Sequence, residues 1–543
     1  MAKVTGGEAI VTSLLQHNIS TLFALPGVQN DHFFNALFDA GDKVNVIHTR
    51  HEQGAAYMAL GAAMSTGGVG AYSVVPGPGL LNTFAALATA YSLNARVMCL
   101  TGQIHSARIG RGFGELHEIP DQFGMMDNLT KWATRISSPA EAPEAISQAY
   151  KELFSGRPRP VGIECPPDVL PAKGEVDLRP VEYEERWPLV DMDAVDCAAE
   201  ILGKAKHPMI FVGSGAIECA DAVLELAEAL QAPVVSGSSG SGIVSSRHYL
   251  GMRQQAAYKY WAKTDAVIAI GSRIHNKLAG WGTDDQMKLI RIDIDPEEHT
   301  RGQRPDVRLI ARSQDVVPKL VESVRKYNSV RPSIEGEINT INQQVQSEMA
   351  YLEPQLSFVK AIRDELDDDG IVVSGVTQVG YIARYVMPFY QPRTYLDSGY
   401  QGTLGWCYPT ALGAKVANPD KQVVAISGDG GFMFNVQELA TAVQHNINAV
   451  LIVFNDSAFG NVRRMQKEYH GNRFIATELH NPDFVSMAES FGAQGLRAHN
   501  ADELRQALRK GFDHNGPTLI EVPVGELPNP GPVAWVTPRV RGS

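Results

Sequence analysis

Short runs of β-branched and apolar residues alternate with Ala-rich stretches through the first third of the chain. Residues 21–27 (TLFALPG) predict a strand that ends in a turn at Pro26-Gly27. Residues 44–50 (VNVIHTR) lead into 51–65 (HEQGAAYMALGAAMS), where small residues and Met suit a helix packed on most sides. Residues 70–79 (GAYSVVPGPG) predict a strand broken by a Gly/Pro turn, 80–93 a helix and 96–103 (RVMCLTGQ) another strand. This alternation implies a parallel sheet with helices on both faces. It runs to about residue 175, and 168–180 (DVLPAKGEVDLRP) reads as a linker.

The same alternation returns twice. Strand-like runs recur at 208–215, 232–237, 265–272 and 288–295, then fade into the polar stretch 330–348 (VRPSIEGEINTINQQVQSE). A third set lies at 370–375, 422–428, 449–454 and 517–522. The expected fold is α/β, with three consecutive doubly wound parallel-sheet domains at 1–175, 190–330 and 355–525. A Pro-rich, irregular tail follows at 526–543.

The length of 543 residues suits three or four domains at about 150 residues each. A hydrophobic share of 44% is enough for large cores. A formal charge of −12 without a basic run argues against a nucleic acid or a membrane surface as the main partner. No apolar run reaches the roughly 18 residues of a membrane span. The opening stretch lacks the basic, apolar and small-residue regions of a secretory signal, so a cytoplasmic location is expected. Five scattered cysteines fit neither a disulfide framework nor a zinc site.

The chemistry concentrates in the third block. A strand at 422–427 ends at Gly428-Asp429-Gly430, a helical stripe follows at Val436, Leu439, Ala440 and Val443, and a strand at 449–454 ends at Asn455-Asp456. Asp429 and Asp456 therefore stand one βαβ crossover apart, at the carboxyl edge of one parallel sheet, where such folds bind ligands. Two carboxylates beside glycine-exposed amides suit Mg²⁺ and a diphosphate. Either motif alone is an ordinary turn; the combination is far less common.

Gly428-Asp429-Gly430, 24 residues and Asn455-Asp456 together resemble the cofactor motif of the thiamine diphosphate enzymes. That family usually closes the motif Asn-Asn, so Asp456 adds a charge at the metal. The resemblance extends over nearly the whole chain. Arg50-His51-Glu52-Gln53-Gly54 is similar to the segment bearing the activating glutamate. Pro76-Gly77-Pro78-Gly79 with Asn82 is similar to the turn lining the pyrimidine, and Gly402-Thr403-Leu404-Gly405 to the segment whose aliphatic residue bends the cofactor. The three blocks follow the pyrimidine-binding, central and diphosphate-binding order of the acetolactate synthase and benzaldehyde lyase branch.

This resemblance implies thiamine diphosphate and Mg²⁺ as cofactors, with the metal on Asp429, Asp456 and the carbonyl of Ala458. It implies a cofactor lining of Gly27, Glu52, Pro78, Asn82, Gln378, Gly402, Leu404, Gly428, Asp429, Gly430, Gly431, Asp456, Phe459 and Gly460. Glu52 would be protonated or share a proton with the pyrimidine, since burial raises a carboxyl pKa. The implied reaction is decarboxylation of a 2-oxoacid to an enamine and its ligation to a second carbonyl. The alternative is a decarboxylase or C–C lyase acting on 2-hydroxy ketones, 2-hydroxyacyl-CoA or aromatic 2-oxoacids.

Several positions depart from the synthases. Met465 stands where they carry a Trp that selects the second 2-oxoacid. His117 stands at the place of an active-site Gln, and Gln29 where benzaldehyde lyase carries a His. His117 is a candidate proton donor or acceptor near neutral pH; a surface histidine in a polar loop is the equal alternative. Some relatives bind FAD or an ADP group in the central block, but a lone Gly213-Ser214-Gly215 is a weak sign of that, so FAD is left open rather than claimed. The family's assembly implies a homodimer or homotetramer, with active sites at the subunit interface and 2-oxoacid, aldehyde or 2-hydroxy ketone substrates.

Overall fold

The computed structural model describes residues 1–181, 187–534 and 538–542. Strand β1 (Ala2–Thr5) precedes a first sheet of β2 (Thr21–Ala24), β3 (Asn45–His48), β4 (Gly70–Val74), β5 (Val97–Gly102), β6 (Trp132–Arg135) and β7 (Val161–Cys165). Strand β8 (Lys173–Val176) follows. The second sheet holds β9 (Pro208–Val212), β10 (Val234–Ser236), β11 (Gly251–Met252), β12 (Ala266–Ile270), β13 (Lys288–Ile292) and β14 (Val307–Leu309). The third holds β15 (Ile371–Ser374), β16 (Tyr395–Asp397), β17 (Val423–Gly428), β18 (Val450–Asn455), β19 (Gln494–Arg497) and β20 (Thr518–Pro523).

Every pairing within these three sheets is parallel. Helices cover both faces, so the central strands are apolar runs: all of β4, β5, β7, β9 and β12 is buried. The first sheet runs β3-β2-β4-β5-β7-β6 and the third β16-β15-β17-β18-β20-β19, the same order within each unit. The strand order reverses at β2/β4 and at β15/β17, and such switch points are where doubly wound sheets open a crevice. The second sheet, β11-β10-β9-β12-β13-β14, reverses at β9/β12. A cleft of about 850 Å³ opens there, bordered by Gly213, Gly271 and Arg273.

The first and third units pack directly on each other through the helices Glu52–Thr66 and Cys407–Ala417. Gly61 lies against the carbonyl of Thr410, and Gly413 against that of Met58, so closely that a Cβ at either would overlap backbone. The small-residue pattern of 51–65 is thus an interface between units.

Two expectations need correction. The stretch read as a linker contains β8, which pairs antiparallel with β1 from Ala2↔Val176 to Thr5↔Lys173. Four residues of mixed polarity carry no periodic signal, and the pairing partner lies at the other end of the unit. The polar stretch 330–348 is mostly the helix Glu335–Met349, in which only Ile338 and Met349 are buried. Its apolar stripe is too narrow to show in the sequence, and the Lys259–Glu348 ion pair helps hold it to the central unit. The described part of the tail folds back over two units. Pro528 and Asn529 accept hydrogen bonds from Gln355 and Tyr351, and Val540 and Arg541 donate to the carbonyl of Trp281. Among the described residues no helix is long and apolar enough to cross a membrane.

Candidate active site

The residues singled out from the sequence fall into two groups, one at each switch point. At the first, the segment after β2 places Gln29 among buried residues and closes a turn in which the Gly27 amide donates to Asn30 (2.8 Å). His51 caps the helix Glu52–Thr66 by accepting from the Gln53 amide, leaving Glu52 as its first residue. Asn82, on the short helix Pro78–Asn82 after β4, donates to the Glu52 carboxylate at 3.0 Å. A Cβ on Gly79 would stand 3.6 Å from the other Glu52 oxygen.

His117 sits in a glycine-rich loop with φ +67°, left-handed backbone that a non-glycine residue rarely adopts. Its Nδ1 is 3.1 Å from the Gln29 Oε1, and the Gln29 amide nitrogen donates to the Leu116 carbonyl (2.9 Å). Because that nitrogen is committed, Gln29 presents its oxygen to the ring. Nδ1 of His117 is then the donor, and Nε2 is left as the free ring nitrogen.

At the second switch point β17 and β18 are paired neighbours with Gly428 opposite Phe454, which brings Asp429 and Asp456 together. Burial raises both carboxyls, and the Asp429 charge adds to the effect on Asp456, which is pushed up to about 7. Around them two glycines leave no room for a side chain. A Cβ on Gly460 would lie 2.1 Å from an Asp456 oxygen, and one on Gly430 2.7 Å from the Phe459 ring. Leu404 stands 3.7 Å from the Cβ position of Gly431. Gln378 lies beside Gly460, with a buried Oε1 that lacks a hydrogen-bond partner among the described residues. Ser457, at φ +51°, turns the chain so that the Ala458 amide donates to Asp456 (3.3 Å). Gln378, Asp456, Ala458 and Gly460 line a cavity of about 430 Å³. Gly402, at φ +58°, stands in open space.

The buried Asp429 carboxylate, the half-buried Asp456 beside it, the Gln378 amide oxygen and the glycine turns form a donor set that fits a hard cation with a diphosphate. Among the described residues no three His, Cys, Asp or Glu side chains cluster, so a cation here relies on these two carboxylates and neutral oxygens.

None of the hydrogen bonds described above joins the two groups directly, although the Asn435 amide donates to Gln53 (3.1 Å) next to Glu52. What bridges the units nearby is Glu438, which the sequence reading passed over as helix. Its carboxylate accepts from the Arg50 amide (3.3 Å) and from the Thr441 hydroxyl (2.6 Å), just ahead of Glu52. Asn481 was also missed; its amide donates to Asp429 (2.6 Å) and to the Asn455 side chain (2.9 Å). It reaches the site from a loop 52 positions beyond Asp429, and no local pattern announces it.

Comparison with known proteins agrees with this division. The N-terminal TPP binding domain of the thiamine pyrophosphate enzymes matches residues 4–125, the central domain 195–320 and the C-terminal TPP binding domain 375–522. An acetolactate synthase of Arthrospira platensis is 31% identical, over 96% of this chain and 94% of its own. The large subunit of acetolactate synthase isozyme 2 of Escherichia coli is 31% identical, over 98% and 97%. A Pseudomonas aeruginosa protein named "probable 2-ketoarginine decarboxylase" is also 31% identical, over 96% and 94%.

Proposed function

Since the chain belongs to the thiamine pyrophosphate enzymes, in their acetolactate synthase-like branch, we propose that it is an Mg²⁺-dependent carboligase. It would decarboxylate a 2-oxoacid and join the retained fragment to a second carbonyl compound. The observation that carries this reading is the Asp429–Asp456 pair at the β15/β17/β18 edge, with the glycine turns around it and a Gln378 oxygen that lacks a partner among the described residues.

Thiamine diphosphate, when bound, would supply a nucleophilic ring carbon and a cationic ring that serves as the electron sink for decarboxylation. Asp429, Asp456 and the Ala458 carbonyl would hold Mg²⁺, and the amides about Gly428–Gly431 and Phe459–Gly460 would receive the diphosphate. Leu404, beside Gly431, would pack against the bound group. Glu52, held by the Asn82 amide, would face the pyrimidine nitrogen. His117 Nε2, oriented through Nδ1 and Gln29, holds or takes a proton at the substrate oxygen.

As the family's assembly implies, the complete site would take Glu52 from one subunit and Asp429 from its partner. Apolar side chains exposed near both groups support this: Val28, Phe113 and Leu116 beside the first, Phe434, Val462 and Met465 beside the second. A second reading, as a decarboxylase, draws support from Met465. It is 46% exposed on the helix Gly460–Tyr469 and is smaller than the Trp the synthases carry, so it constrains the second substrate less.

Proton NMR of the protein with thiamine diphosphate, Mg²⁺ and pyruvate, beside an E52Q control, tests the reading. Acetolactate or acetoin formed by the parent chain and not by E52Q is expected. Acetaldehyde alone would replace the carboligase with the decarboxylase.

A further inference from the structure

Gln122 and Glu164 belong to neither group of site residues, yet both are buried polar side chains in the first unit. Glu164 lies in β7, next to β5, and has no solvent exposure. Its carboxylate accepts from Gln103 Nε2 (3.0 Å), from Gln122 Nε2 (2.9 Å) and from the Arg135 guanidinium. Full burial of a charge is costly unless it is paired and hydrogen-bonded, and here all its partners converge from separate elements.

Gln122 opens the helix Gln122–Leu129 and passes this constraint on. Its amide nitrogen also donates to the Gly102 carbonyl (2.9 Å), and its oxygen accepts from the Gly77 amide (2.8 Å). Only one orientation of the amide satisfies all three contacts, and Glu164 selects it. The two backbone positions so gripped are those that touch the His117–Gln29 pair. Gly77, at φ +59°, has its Cβ position 2.2 Å from the His117 carbonyl, and that of Gly102 is 3.4 Å from Gln29 Cβ.

We propose that Gln122, fixed by Glu164, is a positioning residue for His117 and Gln29. It holds Gly77 and Gly102 at the separation that lets the ring and the amide meet. The proposal rests on the reading of His117 as the group that handles a substrate proton. It adds the structural cause of that group's orientation. Arg135 pairs with the buried Glu164 carboxylate.

Holoenzyme carrying isotope-labelled histidine, loaded with thiamine diphosphate and Mg²⁺, reports His117 by NMR, its ring signals being those lost in H117N. In Q122M these signals are expected to shift. The rate kcat on pyruvate should fall about tenfold, the scale of a net buried hydrogen bond, while KM changes less than about twofold. E164Q keeps an acceptor for Gln122 and should retain most of the rate. Should Q122M not fold, Q122L combined with E164Q serves: it removes the grip on Gly77 and Gly102 without leaving a buried unpaired carboxylate, and the same shift is expected. Unmoved His117 signals in a folded Gln122 variant overturn the inference, whatever the turnover. H117N as fast as the parent chain would remove the proton-transfer reading, while the NMR result still decides whether Gln122 positions the ring.

Discussion

The carboxyl of Glu438 has no solvent exposure, and its Oε1 lacks a hydrogen-bond partner among the described residues. Burial, the main cause, raises it from the ordinary 4.5 to about 7 against the lowering bonds from Thr441 and the Arg50 amide. A raised acid keeps its proton in the folded chain at pH values where the unfolded chain has lost it. The stability it contributes is therefore full below about 4.5 and lost as pH rises towards 7, on the order of 3 kcal/mol in all. E438Q has nothing to titrate there. Its melting temperature, measured against the parent chain without cofactor, should gain between about pH 5 and about pH 8. A difference constant across that range would show that Glu438 is not the titrating group.

At the scale of elements, the helices Glu52–Thr66 and Cys407–Ala417 join the two halves of the site's framework. The first begins at Glu52 and the second follows the Leu404 turn, so their spacing sets where those turns stand. The spacing depends on glycine: a Cβ on Gly413 would lie 1.9 Å from the Met58 carbonyl oxygen, and backbone cannot swing aside as a side chain can. G413A should therefore cost about 1–3 kcal/mol, the usual range for overpacking a tight contact, read as a lowered denaturation midpoint. An unchanged midpoint would mean that the helices separate freely. The sequence showed residues 51–65 as a packed helix, because small residues without a polar face have no place at a surface. It did not show the partner helix, since the contact spans more than 340 positions. Strands β4, β5, β12 and β17 were legible as apolar runs, whereas β8 was not, because edge pairing leaves no such run.

At the scale of the molecule, a site that takes Glu52 from one subunit and Asp429 from another makes assembly a condition of activity under the proposed reading. Complementation checks it. E52Q and D429N chains should each be inactive alone. Mixed and reassembled, heterodimers hold one intact site, so about a quarter of parental activity should return if subunits pair at random. No recovery, with mixed dimers shown to form, would place both groups of one site in a single chain.

The sequence by itself determined the three α/β units, the family and the two carboxylates of the candidate cation site. Those features rest on local patterns: apolar runs that only a buried parallel strand tolerates, and glycine turns where backbone must approach a ligand. The tertiary structure alone decided which distant residues complete them. Asn82 reaching Glu52, Gln29 turning His117, Asn481 holding Asp429 and Gln122 gripping Gly77 and Gly102 all join residues from separate elements. The physical reason is that a hydrogen bond depends on where two atoms sit once the sheets have stacked, and spacing along the chain carries no trace of that.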